Sequence, residues 1–369
     1  MKQIKTYELG ELLPYEQPSK YIVNSTEYDD SYPIPVLTAG KSFILGYTNE
    51  SNNVFDDLPV IIFDDFTTAT QYVDFKFKVK SSAMKILHIN QDLVLPKFIF
   101  YKLQTISIDH STHKRYWIQQ YSKIKIPIPT IHEQEQIINQ IEESLSQLDS
   151  AVATLKKTKL QLEIYHQAVL KEAFSTINQM ATIKSIADTR LGKMLDKEKN
   201  TGKARKYLRN INVRWFDFDL SDLLEMRIED NEIDKYSIKK SDLVMCEGGE
   251  PGRCAVWNKD QTIFYQKALH RIRFSEESNP YFYMYYFWLI SKSGALSNYF
   301  TGTGINHLTG QSLSKVLIPI CSRELQDKIV SYIESRFMSI DTIETTIYQS
   351  LQQAEALRQS ILKQAFEGR

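Results

Sequence analysis

Cysteine is scarce in this chain of 369 residues: Cys246, Cys254 and Cys321 are the whole set, and no two stand in C-x-x-C spacing. An odd number without paired spacing excludes a disulfide framework and a thiolate zinc site, and suits reduced thiols in a core. The seven histidines form neither H-x-x-x-H nor H-E-x-x-H, so the helical metal-site patterns are absent as well. Long apolar runs are missing too. The longest, Tyr281 to Ile290, has ten residues and is rich in Tyr, where a membrane helix needs about 20. Met1 to Tyr15 mixes charged with apolar residues and builds no hydrophobic stretch of the secretory kind. The expected compartment is the cytoplasm, with no membrane partner.

Cofactor loops are equally lacking. Ala39 to Ser42 reads A-G-K-S, the close of a phosphate-binding loop, but the first glycine of that loop would fall on Pro35, which removes the backbone freedom the loop needs. Asn279-Pro280-Tyr281-Phe282 resembles the N-P-P-[YF] loop with which amino-methyltransferases hold a flipped base. It lacks the second proline, and Tyr281 to Trp288 reads better as an aromatic-rich core element. Asp64 with Asp74-Phe75-Lys76 fits a nuclease-like D…D-x-K pattern only at a spacing common by accident. With neither a catalytic constellation nor a cofactor site, the chain reads as a binding protein rather than an enzyme.

What the chain does have is charge, segregated along its length. Basic and acidic residues balance at 45 each. Residues 1–75 carry four basic and twelve acidic residues, and 76–125 ten basic and two acidic. Residues 184–214 then carry ten basic and three acidic, and 217–234 one basic and eight acidic. Two basic zones in a neutral protein can bind a polyanion locally; solvated charged faces are the plain alternative.

The chain also repeats itself. Offset by 192 residues without gaps, Ser122 to Phe174 matches Ser314 to Phe366, with identities at Ser122/Ser314, Ile126/Ile318, Pro127/Pro319, Gln134/Gln326, Glu142/Glu334, Asp149/Asp341 and Phe174/Phe366. Each copy opens on an extended I-P-I segment, where proline excludes a helix interior, and continues into a 4-3 apolar repeat. Ile141, Leu145, Leu148, Val152 and Leu155 start one seam and Ile333, Phe337, Ile340 and Ile347 mark the other, as in a coiled coil. No Gly or Pro interrupts Glu133 to Phe174, so each helix can run about 60 Å at 1.5 Å per residue. Polar residues at seam positions, Lys159, His166, Glu344 and Arg358, either set register or snorkel at the rim. Residues 1–121 and 181–313 are mixed globular regions with little likeness to each other, and 122–180 and 314–369 hold the repeated segments and helices. The expected fold class is α+β: two globular α/β domains joined by two long helices that pack on each other as a coiled coil, with a pseudo-two-fold.

Binding candidates cluster in the second globular region. Cys246-Glu247-Gly248-Gly249-Glu250-Pro251-Gly252-Arg253 follows the strand Leu243 to Met245. Gly249 and Gly252 allow backbone N–H groups close approach to phosphate, and Arg253 can fork onto phosphate or guanine; a tight hairpin is the structural alternative. In Gln266 to Arg273, alternation puts Lys267, Arg271 and Arg273 on one strand face and His270 on the other. Lys203, Arg205, Lys206 and Arg209 form a basic segment, and His113-Lys114-Arg115 and Asn306-His307 stand at equivalent places before the two I-P-I segments. All of these are candidate DNA contacts, chiefly to phosphate.

Together these features resemble the specificity subunit of a type I restriction-modification system, over essentially the whole chain. The resemblance is carried by K-I-K-I-P-I-P from Lys123, V-L-I-P-I from Val316, the helix ends L-K-E-A-F and L-K-Q-A-F, Y-S-I-K-K-S-D-L-V-M, G-G-E-P-G-R-C-A-V-W and H-R-I-R. It implies two target-recognition domains that each bind half of a split site in double-stranded DNA, with an antiparallel coiled coil as a ruler. It also implies a non-catalytic chain without cofactors of its own. Two modification subunits using S-adenosylmethionine would dock on it, with ATP- and Mg2+-dependent restriction subunits. Ser241-Asp242 stands where the family usually has G-D, and Glu324-Leu325-Gln326 where it has adjacent Glu-Gln. Readings of other kinds are the recognition subunit of a different multi-subunit restriction enzyme and a coiled-coil protein-interaction adaptor.

Overall fold

The computed structural model describes residues 5–38, 42–106, 115–196, 198, 200–302 and 304–367. The chain divides into two units, one of residues 1–155 with 349–369 and the other of residues 156–348. The long helices foreseen from the heptads are Ile131–Phe174 and Arg323–Glu367. The first gives its N-terminal part to unit 1 and the rest to unit 2; the second does the reverse.

Unit 1 carries nine strands: β1 (Lys5–Glu8), β2 (Tyr15–Glu16), β3 (Ile34–Leu37), β4 (Ile44–Thr48), β5 (Val60–Asp64), β6 (Thr70–Val73), β7 (Lys78–Val79), β8 (Met84–His88) and β9 (Lys125–Ile128). One sheet has the order β2-β8-β5-β6, the other β4-β3-β7. The apolar run of β5 is buried at every residue, because its two faces serve different clusters: Ile61 and Phe63 join Trp117 and Tyr121, while Val60 and Ile62 join Phe55 and Phe77. That is the pattern of a strand covered on both sides. The I-P-I segment forms β9, paired antiparallel with β1.

Unit 2 continues with β10 (Met180–Thr182), β11 (Ala187–Leu191), β12 (Lys203–Leu208), β13 (Leu224–Ile228), β14 (Ser237–Ile238), β15 (Leu243–Cys246), β16 (Cys254–Val256), β17 (Ile263–Tyr265), β18 (Leu269–Phe274) and β19 (Leu317–Pro319). Its sheets run β11-β18-β15-β16 and β13-β12-β17-β14. The first matches β2-β8-β5-β6 strand for strand. In the second, β12 pairs antiparallel with β13 and parallel with β17, as β3 does with β4 and β7. The second I-P-I segment contributes β19, which pairs with β10. Two globular regions with little sequence likeness therefore share one topology. The Tyr-rich run is the helix Pro280–Lys292, with Phe282, Tyr283 and Phe287 buried, a core element as expected.

Within each unit the long helices pack antiparallel. In unit 1, Ile137, Ile138, Ile141 and Leu145 share a core with Leu362 and Ala365, and Asp149 pairs with Arg358. In unit 2, Leu170 and Phe174 meet Ile329, Val330 and Ile333, and the Tyr332 hydroxyl donates to Glu172 at 2.9 Å. Of the polar seam residues, Arg358 is thus an ion-pair partner, and His166 stands edge-on to Phe337 with ring centroids 4.7 Å apart. The repeated glutamine explains itself here. Gln134 accepts from Leu95 N at 2.7 Å and donates to Pro129 O at 3.0 Å. Gln326 accepts from Asn279 N at 2.7 Å and donates to Cys321 O at 3.0 Å. Both are buried, and each ties the entry of a head helix, Pro96–Gln104 or Pro280–Lys292, to its long helix.

Candidate nucleic-acid interface

The glycine-rich loop of unit 2 is the turn of the hairpin β15–β16. Its neck is closed by Cys246 N donating to Arg253 O at 2.8 Å and Gly252 N donating to Cys246 O at 3.0 Å. Gly252 has φ 92°, and a side chain there would strike Leu296, so this glycine is required by geometry. Glu247 O accepts from Leu308 N at 2.7 Å, which docks the loop on the segment that carries His307 and Leu308. The Asn210 side chain donates to Gly248 O at 2.9 Å, and Trp215 Nε1 donates to Glu250 at 2.8 Å. His307 lies against Gly248, while Asn306, His307, Gly249 and Glu250 are exposed. Three chain segments thus converge on one rigid tip that offers both donors and acceptors to solvent.

Several residues expected on the outside are structural instead. Arg271 is 2% exposed. Its guanidinium pairs with Asp188 at 2.5 Å and donates to Ser237 O at 3.3 Å. Arg273 pairs with Asp242 through two nitrogens at 2.6 and 2.7 Å, and His270 is buried, bonded through Nε2 to Leu308 O at 2.8 Å. The alternation of β18 was right, but both of its faces are covered, so alternation could not tell water from a neighbouring layer. Arg253 is also committed: it donates to Glu250 at 2.8 Å and to Asn210 O at 2.9 Å, holding the loop rather than forking outward. Burial keeps the His270 ring neutral by lowering its pKa and pushes the Cys246 thiol up to about 11, so this thiol stays protonated and inert.

Some residues of the basic zones pair with the acidic zones. In unit 1, Lys78 meets Glu50 at 3.2 Å, Lys85 meets Asp65 at 3.6 Å, and Lys125 meets Glu8 at 3.8 Å. In unit 2, Lys193 lies between Glu229 and Glu232, and Arg209 meets Asp222 at 2.6 Å. The hydrogen bond from Lys193 is the first cause that holds Glu229 down at about 2. On β12, Lys203 and Lys206 are exposed and Arg205 stacks on Phe264 at 5.4 Å. Arg115 is exposed, whereas His113 and Lys114 lie outside the described residues. Asn210 and Trp215 were not singled out from sequence, because nothing in the pattern ties them to the loop. Among the described residues, no group of three His, Cys, Asp or Glu is placed to hold a metal, and no helix is long and apolar enough to cross a membrane.

A family model described as the type I restriction modification DNA specificity domain matches residues 1–164 and 177–353. The chain belongs to this family. Each matched segment holds one of the two globular regions. The EcoR124I/EcoR124II specificity subunit of Escherichia coli is 42% identical over 180 residues, covering 46% of this chain and 45% of that protein. The EcoKI specificity subunit of E. coli strain K12 is 24% identical over 269 residues, covering 67% of this chain and 58% of that protein. The chain thus aligns with about half the length of the curated relatives it matches. A chain from a structural study of complex assembly and conformational transition in the type I R-M system superposes with TM-score 0.73 at 15% identity, covering 100% of this chain and 98% of that one. The HsdS subunit from Thermoanaerobacter tengcongensis gives TM-score 0.57 at 14% identity, covering 100% and 97%. At these identities the likeness is one of fold.

Proposed function

We propose that this chain is the DNA sequence-recognition subunit of a type I restriction-modification system. Each head reads one half of a split site in double-stranded DNA, and the long helices fix the separation. One observation carries this reading: two heads of divergent sequence keep one strand order, and each belongs to a segment matched by the DNA specificity domain. A shared framework with different exposed side chains suits two readers of two different sequences. In the second head the reading groups are Asn306, His307, Gly249 and Glu250, whose carboxylate is braced by Trp215 and Arg253 and keeps a second lone pair on each oxygen for a base donor. An Asn amide can bond adenine bidentately and a carboxylate can accept from cytosine N4, each worth about 1–3 kcal/mol of discrimination. Lys203 and Lys206 supply phosphate contacts, which position without specifying.

The chain itself is the non-catalytic partner in this scheme. Two modification subunits bring S-adenosylmethionine and methylate adenine, and restriction subunits bring ATP- and Mg2+-dependent cleavage, in the cytoplasm. The test is to express the chain with its modification subunits in a host free of adenine methylation and sequence the methylome at single-molecule resolution. A single motif of two short blocks around a fixed unspecified spacer is expected. Methylation at an unsplit motif, or none from an assembled complex, overturns the reading.

A further inference from the structure

The necks of the hairpins β5–β6 and β15–β16 correspond bond for bond, although the second turn is two residues longer. Asp64 N donates to Ala69 O at 2.9 Å in β5–β6, as Cys246 N does to Arg253 O in β15–β16. One residue on, Asp65 O accepts from Tyr116 N at 3.3 Å, as Glu247 O accepts from Leu308 N. Tyr116 and Leu308 are separated by the same 192 residues as the helical repeat. The first-head turn is therefore the counterpart of the glycine-rich loop, although it contains no glycine.

Its construction is that of a presented tip. The buried Asp64 carboxylate accepts from Phe66 N at 2.8 Å and Thr67 N at 3.2 Å, and buried Asp65 accepts from Trp117 N at 2.8 Å while pairing with Lys85. Thr68 stands at φ 60°, a costly conformation for a β-branched residue that persists only where its surroundings enforce it. All this holds Phe66 with 57% of its surface in solvent. The polar-braced turn thus presents a phenyl ring to solvent in the place that residues 248–251 hold in the second head.

We infer that Phe66 and Thr67 are specificity-determining residues of the first head, contacting base edges in its half-site. The ring offers apolar contact to a thymine methyl, and the Thr67 hydroxyl a bond to a base edge. This rests on the reading of the chain as a DNA-recognition subunit. The experiment uses the full chain assembled with its modification subunits, as wild type, Phe66→Ala, Thr67→Val and Glu250→Ala, with methylome sequencing and thermal unfolding of each. Phe66→Ala and Thr67→Val are expected to raise methylation at sites altered in one block by about tenfold relative to the parent site, leaving the other block and the spacer unchanged. Glu250→Ala is expected to loosen only the other block. Should Phe66→Ala unfold, Thr67→Val, which keeps the side-chain shape, gives the same readout. Unchanged discrimination in the folded variants, or loosening of the block that Glu250→Ala loosens, overturns the inference while the wild type still methylates a split motif. A wild type that methylates no split motif overturns the recognition reading instead.

Discussion

Arg271→Ala separates a structural arginine from a DNA-binding one. The substitution removes a guanidinium that is 2% exposed and that donates to the Asp188 carboxylate and to the carbonyls of Asp234, Lys235 and Ser237. Stranding a buried charge costs about 3–5 kcal/mol, but the Asp188 side chain is 56% exposed and is rehydrated when its partner leaves. What remains is the loss of charge-assisted bonds to buried acceptors, about 2–3 kcal/mol. For a unit of roughly 200 residues that lowers Tm by about 5–10 °C. Differential scanning calorimetry of the purified chain reads this loss, and the dependence of log K on log salt reads phosphate contacts. Arg271→Ala should leave the salt slope unchanged, since no phosphate contact is lost. Lys206→Ala, at an exposed position of β12, should lower the slope by about 1 with little change in Tm. An Arg271→Ala protein with parental Tm and a reduced salt slope would refute the structural assignment.

Two further outcomes follow from buried polar groups. Gln134→Ala and Gln326→Ala each strand a backbone N–H that the glutamine oxygen accepts from at 2.7 Å, a loss of about 1–3 kcal/mol. Hydrogen exchange should report it in unit 1 for Gln134→Ala and in unit 2 for Gln326→Ala; the same amides deprotected in both variants would contradict the tie between each glutamine and its own head. His270 has its pKa lowered by burial, so the unfolded chain binds this proton more readily than the folded one. Stability of unit 2 is then full above the ordinary His range near 6.5 and falls as pH drops through it, by up to about 1.4 kcal/mol per pH unit. Denaturant midpoints from pH 7.5 to 5 should show that slope and its loss in His270→Gln, and a parental protein equally stable at both ends would count against it.

The long helices were legible because nothing overrides an uninterrupted heptad: their apolar positions had to be covered, and a second copy 192 residues away supplied the cover. The heads were legible only in class. Their common topology lies in strand pairing between distant segments, and pairing leaves little local signature when β5 offers V-I-I-F-D and β15 offers L-V-M-C. The basic zones misled for a similar reason. A charge run looks free in one dimension, but Lys78 finds Glu50, Lys85 finds Asp65 and Arg209 finds Asp222 once the chain is folded.

That internal pairing has a functional consequence. Lys78, Lys85, Lys193 and Arg209 are held by carboxylates and so withdrawn from phosphate, which leaves positioning on DNA to exposed cations such as Lys203 and Lys206 and sequence discrimination to base contacts. Under the proposed function this is a favourable arrangement: a head on its own half-site alone gains little, whereas joining two modest affinities in one chain raises the second by effective concentration. The proposed readers are the two hairpin tips, which the fold braces from within. In the second head the bracing group is the arginine, Arg253, that the sequence alone would have placed on the DNA; in the first it is the paired aspartates Asp64 and Asp65, which no charge count would have chosen.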